Sequence, residues 1–189
     1  MAIYTVDWFT PHISIWQSVL QPFRDKPVKF LEIGSFEGRS TVWLLENILT
    51  HADSTITCVD PYKEYEDLQK QHIDWEAVKN RFIENTKQWE QKVLLKQEES
   101  TNFMRYCTEN TYDFIYLDGC HTARQTMIDA ILAHIILKPD GILIFDDYLW
   151  AGLAIANNVP KGSIDAFMTS FSGDYDLKSL GYQVILQKK

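Results

Sequence analysis

Hydrophobic residues are concentrated in five short runs, and polar or turn residues bound each run on both sides. The runs cover residues 28–33, 55–59, 93–95, 114–117 and 142–145. Short runs of this kind, apolar on both faces, are typical of strands in a parallel sheet that helices cover on each side. The pattern therefore predicts five strands at the centre of one sheet.

The segments between the runs are long enough for helices, so strands and helices alternate along the chain. Apolar residues recur at helical spacing in residues 39–49 and in residues 123–137. The second helix is predicted to end at the turn sequence of residues 138–141, directly before the fifth strand. Its buried stripe is predicted to consist of Ala123, Met127, Ala130, Ile131 and Ile135. Alternation of strands and helices predicts a doubly wound α/β fold.

The pattern changes after the fifth strand. Residues 163–171 are predicted to form a helix, and residues 175–180 and 182–186 two further strands joined through Gly181. Two strands joined by a short turn form a hairpin and run antiparallel. The sequence thus predicts an α/β, doubly wound, mostly parallel seven-stranded sheet with a reversed C-terminal hairpin strand.

The chain of residues 1–189 is interpreted as a single domain, with an N-terminal helical cap of residues 1–27 and a core of residues 28–189. Six apolar residues of the cap lie roughly on one helical face: Trp8, Phe9, Ile13, Trp16, Leu20 and Phe23. This face either packs on the core as an ordinary helix or forms a lid over a pocket.

The composition narrows the class of partner. The 189 residues carry 18 basic and 26 acidic side chains, a net charge of −8, so the overall field repels polyphosphates and anionic lipids. No apolar run reaches the roughly 18 residues that a membrane span needs, and the N-terminus lacks the pattern of a signal peptide. We therefore expect a soluble, cytoplasmic protein that binds neither nucleic acid nor a membrane. Three cysteines without a CxxC pair agree with a reducing compartment.

The turn after the first strand has the features of a ligand site. Open α/β sheets bind ligands at the carboxyl ends of their strands, and here Gly34 and Gly38 allow a tight backbone turn before a helix begins. The dinucleotide fingerprint needs a glycine where Phe36 stands, so a pyrophosphate would be crowded. This departure argues against a nicotinamide-dependent dehydrogenase.

Two acidic residues flank this turn in the predicted sheet. Asp60 ends the second strand, about 22 residues after Gly38, where a carboxylate can bind both ribose hydroxyls. Glu32, at the tip of the first strand, adds a second negative charge. An acidic rim favours an adenosine with a positively charged tail over one with a phosphate tail. The alternative is an ordinary strand–helix turn with surface acids.

Three stretches of sequence resemble a known class of enzyme. They are Glu-x-Gly-x-x-x-Gly at residues 32–38, Tyr-Asp-Phe-Ile-Tyr-Leu-Asp-Gly at residues 112–119 and Leu-Lys-Pro-Asp-Gly-Ile-Leu at residues 137–143. Together they resemble the S-adenosylmethionine-dependent methyltransferases of the class I, Rossmann-like fold over residues 28–187. Within that class, Phe-Leu-Glu-Ile-Gly-Ser-Phe-Glu-Gly-Arg-Ser-Thr and Leu-Asp-Gly-x-His are similar to a small O-methyltransferase-like group.

The resemblance implies S-adenosylmethionine as cofactor and a small molecule as methyl acceptor. It places the methionine part of the cofactor in the turn of residues 34–38, the ribose on Asp60 and the adenine at Ser100. The full set of cofactor-binding residues that it implies is Glu32, Gly34, Ser35, Phe36, Gly38, Ser40, Asp60, Ser100 and Asp118.

Acidic residues also follow the fourth and fifth predicted strands. If these strands are neighbours, Asp118, Asp146 and Asp147 converge beside the glycine turn, and hard oxygen ligands suit Mg²⁺, Mn²⁺ or Ca²⁺. The pattern resembles the metal-dependent catechol-type O-methyltransferases, which implies that these three residues hold Mg²⁺ or another divalent cation. The alternative is that Asp146 and Asp147 are surface acids that cap the following loop.

His121 follows the tip of the fourth strand and is the candidate general base, because imidazole titrates near neutral pH. A structural His121 is the alternative.

We predict a methyltransferase that uses S-adenosylmethionine to methylate a hydroxyl group of a small molecule, with help from a divalent metal. Two other functions stay open: a cofactor-binding protein with no activity or a regulatory one, and a metal-dependent hydrolase. The apolar loop of residues 148–161 forms either a wall of the acceptor site or the contact of a homodimer.

Overall fold

The predicted strands form one seven-stranded sheet in the computed structural model, which describes residues 2–63, 73–150 and 159–189. The strands are β1 (Lys29–Ile33), β2 (Thr55–Val59), β3 (Val93–Lys96), β4 (Tyr112–Leu117), β5 (Leu137–Phe145), β6 (Tyr175–Leu180) and β7 (Val184–Lys188). Their order in the sheet is β3-β2-β1-β4-β5-β7-β6. The first five strands are parallel, and β7 runs antiparallel to both β5 and β6. The predicted fold class, including the reversed hairpin, is confirmed.

Helices cover both faces of the sheet. They are α1 (Ile13–Leu20), α2 (Arg39–Asn47), α3 (Trp75–Thr86), α4 (Ser100–Met104), α5 (Ala123–Ile136) and α6 (Pro160–Ser170), with 3₁₀ turns at Thr10–His12, Gln21–Phe23 and Lys87–Trp89. Residues of α1, α2 and α3 share one apolar core cluster, and residues of α4, α5 and α6 share a second. This two-sided burial explains why the central strands are apolar on both faces. No helix in the described ranges is long and apolar enough to cross a membrane.

The N-terminal cap packs on the domain as an ordinary helix. Trp16 and Leu20 of α1 are fully buried, and the Trp16 ring makes edge contacts with Phe114 and Tyr116 of β4. The exception is Trp8, which precedes α1 and remains 69% exposed above the ring of Phe36. The helix therefore contributes to the core, while the segment before it lies over the glycine turn.

The apolar stripe predicted for α5 is buried at Ala130 but not at its two isoleucines. Ile131 and Ile135 are exposed, and the helix buries a different face. The buried residues of α5 are Thr126, Asp129, Ala130, Ala133 and Ile136. Asp129 can be buried because its Oδ1 accepts hydrogen bonds from the Ser100 hydroxyl (2.7 Å) and the Gln125 amide (2.9 Å). A polar network between α4 and α5 thus replaces the expected aliphatic contact.

Several strand boundaries also differ from the prediction, most of all the start of β5. β5 begins at Leu137, so the turn sequence of residues 138–141 lies inside the strand as an irregularity where the register with β4 shifts. β7 begins at Val184, two residues later than predicted. The two residues before it, Tyr182 and Gln183, instead turn toward the end of β5.

Candidate active site

The glycine turn lies against the end of β4. Gly34 adopts a left-handed conformation (φ +84°), and a Cβ atom built there would lie 1.8 Å from the carbonyl oxygen of Asp118. Gly38, also left-handed (φ +79°), directly precedes α2. Only glycine permits both the conformation and the close approach at residue 34. The turn can therefore sit beside the acidic end of β4, as predicted.

The Asp60 carboxylate holds this turn from β2. Its Oδ2 accepts hydrogen bonds from the backbone N–H groups of Ser35 (3.0 Å) and Phe36 (2.9 Å), and its Oδ1 accepts one from Tyr62 (2.8 Å). Burial raises the pKa of Asp60, while the three backbone hydrogen bonds oppose the shift. The predicted contact with ribose stays a prediction, and the observed contacts give Asp60 a role in shaping the turn.

Glu32 is not on an acidic rim, and that expectation is wrong. The side chain is fully buried under α2, where the hydroxyls of Ser40 and Thr41 donate to its two oxygens and the Cys58 thiol lies 3.6 Å away. Burial raises the pKa of Glu32 to about 7, although these hydrogen bonds oppose the shift. Successive side chains of a strand point to opposite faces of the sheet. Leu31 and Ile33 therefore pack on one face, and Glu32 points to the opposite face, which α2 covers. Glu32 thus holds the first turn of α2 against the sheet.

The hydroxyls of Ser40 and Ser100 both donate to buried carboxylates, those of Glu32 and Asp129. The predicted adenine contact of Ser100 therefore stays a prediction. Ser35 differs, because its Oγ is buried and interacts with the Cys58 thiol rather than with a carboxylate.

A cleft lies above the turn. Its walls come from the N-terminal segment, the glycine turn and the ends of β4 and β5. The lining residues are Val6, Trp8, Phe9, Gly34, Ser35, Phe36, Glu37, Arg39, Ser40, Tyr116, Asp118 and Asp146. The predicted donor-binding turn and two of the predicted metal ligands therefore share one cleft.

Glu37, which the sequence analysis missed, ties the N-terminal segment to the turn. Its carboxylate accepts hydrogen bonds from the Thr5 backbone N–H (2.6 Å) and hydroxyl (2.7 Å), and from Arg81 Nε (2.5 Å). The side chain is 1% exposed. Residue 37 is one of the positions at which the glycine motif accepts any residue. No local sequence pattern connects Glu37 with its partners, which lie 32 and 44 residues away in the sequence.

The second part of the site is a group that we call the aspartate–histidine cluster, which consists of Asp118, His121 and Asp147. One ligand atom from each lies within 4.8 Å of the others. His121 Nε2 is 2.7 Å from Asp147 Oδ2 and 3.9 Å from Asp118 Oδ1. The ring of Trp150 lies against His121, with centroids 5.0 Å apart. The remainder of the predicted apolar wall, residues 151–158, lies outside the described residues.

Asp146 lies beside this cluster and lines the same pocket as Asp118 and Asp147, so the three carboxylates converge as expected and their role as metal ligands stays a prediction. Its Oδ2 accepts hydrogen bonds from the Tyr116 hydroxyl and from Gln183 Nε2 (3.0 Å). Its Oδ1 accepts one from the backbone N–H of Asp147 (2.7 Å). Both oxygens are thus engaged beneath the cluster. The donors come from β4 and from the residue before β7, which no local sequence pattern connects.

The electrostatics of the cluster follow from burial and charge. Burial raises the pKa of Asp118, and the charge of Asp146 raises it further. Burial alone would lower the pKa of His121, but Asp118 and Asp147 together raise it. Burial alone would raise the pKa of Asp147, but its interaction with His121 lowers it. The carboxylate oxygens of Asp118 and Asp147, with an imidazole nitrogen beside them, form a donor set that fits a divalent cation.

A model of the methyltransferase domain family matches residues 31–148 of the chain. No curated protein matches it significantly. Solved structures with the same fold include the O-methyltransferase of Bacillus cereus in complex with S-adenosylhomocysteine, at 15% identity and a TM-score of 0.69 over 98% of this chain and 84% of that one. The O-methyltransferase TomG of Streptomyces achromogenes in complex with S-adenosylmethionine gives 12% identity and a TM-score of 0.67, over 98% and 82%.

A third structure has the same fold with a different acceptor atom. The 1,6-didemethyltoxoflavin-N1-methyltransferase of Burkholderia thailandensis gives 15% identity and a TM-score of 0.59, over 96% of this chain and 78% of that one. At these identities the similarity concerns the fold, and the family model concerns the sequence. The match covers more than half of the chain, from β1 to the residue after the Asp146–Asp147 pair, so the prediction of a methyltransferase is confirmed: the chain belongs to the methyltransferase domain family.

Proposed function

We propose that this methyltransferase transfers the methyl group of S-adenosylmethionine to a hydroxyl oxygen of a small molecule. The observation that carries the proposal is the shared cleft, in which the glycine turn and Asp118 line the same space. A methyl donor held at the turn would present its sulfonium to an acceptor held at the acidic strand ends. Methyl transfer is an in-line displacement, so this juxtaposition is its main requirement.

The chain's residues divide the work of donor binding. The turn of residues 34–38, held by Asp60, receives the methionine part of the donor. In the reaction the carbon–sulfur bond breaks, its electrons remain on sulfur to give S-adenosylhomocysteine, and the acceptor oxygen forms the new bond to carbon. The acceptor's proton must leave during or before this step.

His121 is the proposed proton acceptor, because its Nε2 points toward the carboxylates of Asp118 and Asp147. To act as a base, His121 must first pass its Nε2 proton to solvent as its ion pair with Asp147 opens, and the emptied nitrogen then takes the proton of the acceptor hydroxyl. Asp118 and Asp147 are the proposed ligands of a divalent cation, and Asp146 holds Asp147 from behind. When bound, such a cation lowers the pKa of a coordinated hydroxyl. A hydroxyl acceptor benefits from this chemistry more than an amine, which favours oxygen as the methylated atom.

Two experiments test the proposal. Heat unfolding with S-adenosylmethionine or S-adenosylhomocysteine should raise the melting temperature, and NAD should not. A panel of hydroxylated aromatics and sugars is then incubated with methyl-labelled S-adenosylmethionine, with Mg²⁺, with Mn²⁺ or with EDTA. Label transfer to a hydroxyl compound supports the proposal. Donor binding with label transfer only to amines would contradict O-methylation, and the absence of any donor binding would contradict the proposal as a whole.

A further inference from the structure

A chain of buried polar side chains runs beneath the aspartate–histidine cluster, from α1 to the C-terminal hairpin. Trp16 Nε1 donates a hydrogen bond to Gln183 Oε1 (2.7 Å), and Gln183 Nε2 donates to Asp146 Oδ2 (3.0 Å). The Tyr116 hydroxyl donates to the same oxygen of Asp146 and lies 3.0 Å from Asp118 Oδ2. Trp16, Tyr116 and Gln183 are all at least 96% buried.

The other oxygen of Asp146 reaches the cluster through the backbone. Asp146 Oδ1 accepts the N–H of Asp147, a residue with a left-handed backbone (φ +58°). Aspartate adopts this conformation more readily than most non-glycine residues, and here the hydrogen bond to Asp146 holds its backbone N–H. The hydroxyl of Tyr182 adds a hydrogen bond to Asp147 Oδ1 (2.8 Å). Asp146 thus fixes the backbone that aims the Asp147 side chain at His121.

The antiparallel pairing of β5 and β7 creates this arrangement. Phe145 lies opposite Val184, so the two aspartates that follow β5 lie beside the two residues that precede β7. Gln183 contacts Asp146 and Tyr182 contacts Asp147. Two consecutive residues of the reversed hairpin therefore serve two consecutive residues at the site. A parallel strand in this place would bring its opposite end to Phe145.

Burial of a tyrosine hydroxyl or a glutamine amide destabilises the fold unless these groups form hydrogen bonds. Phenylalanine or methionine would fill the same volume. We propose that Tyr116 and Gln183 are positioning residues, which hold Asp146 so that Asp147 and Asp118 keep their orientation toward His121. Their expected effect on catalysis rests on the proposed function, whereas their effect on the cluster does not.

The test compares Tyr116→Phe and Gln183→Met with Tyr112→Phe, which makes the same change as the first variant at the opposite end of the same strand. The imidazole resonances of His121 are recorded at one fixed pH in ¹³C-histidine-labelled protein and assigned with His121→Gln. We expect both site variants to shift these resonances and Tyr112→Phe to leave them unchanged. Unchanged His121 resonances in a folded Tyr116→Phe variant would overturn the proposal. If that variant does not fold, the same reading of Gln183→Met decides.

Calorimetry and turnover separate this inference from the proposed function. In Gln183→Met, whose residue is not among those that line the cleft, the dissociation constant for S-adenosylmethionine should stay within about twofold of the wild-type value. Turnover of the first acceptor found should fall at least tenfold in both site variants, about 1.4 kcal/mol. If the site variants shift the His121 resonances but the wild-type protein binds no S-adenosylmethionine, the positioning role stands and the proposed function is contradicted. A loss of donor affinity equal to the loss of turnover would point to a general structural effect and overturn the inference.

Discussion

His121 Nε2 lies 2.7 Å from Asp147 Oδ2, and both side chains are mostly buried. Burial lowers the pKa of His121, but the hydrogen bonds and charges of Asp118 and Asp147 outweigh it and raise the pKa to about 11. The residue that the sequence indicates as a base is therefore a cation in the free protein. Any proton acceptance must follow a rearrangement that separates His121 from Asp147.

We expect His121 to stay protonated from about pH 6 to about pH 9 in the free protein, and Asp147→Asn to bring its pKa back toward the ordinary value of about 6.5. A raised histidine pKa stabilises the fold fully below the unfolded-state pKa, and this contribution is lost as the pH rises toward 11. Imidazole carbon shifts across a pH series measure the pKa of His121 in the wild-type protein and in Asp147→Asn. A wild-type His121 that titrates near pH 6.5 would contradict the ion pair.

Gly34→Ala should destabilise the protein by at least about 3 kcal/mol, because the added methyl group would meet the Asp118 carbonyl oxygen at 1.8 Å in a left-handed backbone. Urea unfolding measures the change. Gly162→Ala is the matched control: a Cβ there meets nothing within 4 Å, and the residue lies in α6, so this substitution should be neutral or stabilising by up to about 1 kcal/mol. Equal effects of the two substitutions would mean that the contact between turn and β4 is not tight.

The sheet could be predicted from the sequence because its strands are short, apolar and bounded by turn residues. The failures have local causes. Ile131 and Ile135 have the spacing of a buried stripe, yet the helix buries Asp129 instead, because Ser100 and Gln125 satisfy its carboxylate. That network joins α4 to α5, so the sequence of α5 alone does not indicate it.

The site was predictable where it follows strand ends and unpredictable where it depends on side-chain direction. Asp118 and Asp147 meet as expected from neighbouring strands, and His121 joins them through an ion pair that was not predicted. Asp146 has the same sequence character as Asp147 but turns to Tyr116 and Gln183. Gln183 lies 37 residues from Asp146 in sequence, so only the antiparallel register of the hairpin reveals the contact.

Glu32 should make the stability of the protein fall as the pH rises. Its pKa is raised by burial to about 7 from 4.5, so the folded state binds more protons than the unfolded state between these values. Its contribution is complete below pH 4.5, and the protein should lose about 3 kcal/mol by pH 8. Chemical unfolding of Glu32→Gln at several pH values should remove this slope, whereas Glu46→Gln, at an exposed position of α2, should keep it. An unchanged slope in Glu32→Gln would show that Glu32 ionises normally.

Asp60→Asn should weaken binding of S-adenosylmethionine by about 10- to 100-fold, which calorimetry measures directly. The carboxylate accepts the backbone N–H groups of Ser35, Phe36 and Tyr62, and hydrogen bonds to a charged acceptor contribute about 1.5–3 kcal/mol. Asp53→Asn, at an exposed position before the other end of β2, should leave the affinity unchanged. The unfolding free energy without ligand separates two roles for Asp60. If it holds the turn, the ligand-free variant loses stability as well as affinity; if it contacts only ribose, affinity alone falls. A variant that keeps both its affinity and its stability would exclude Asp60 from either role.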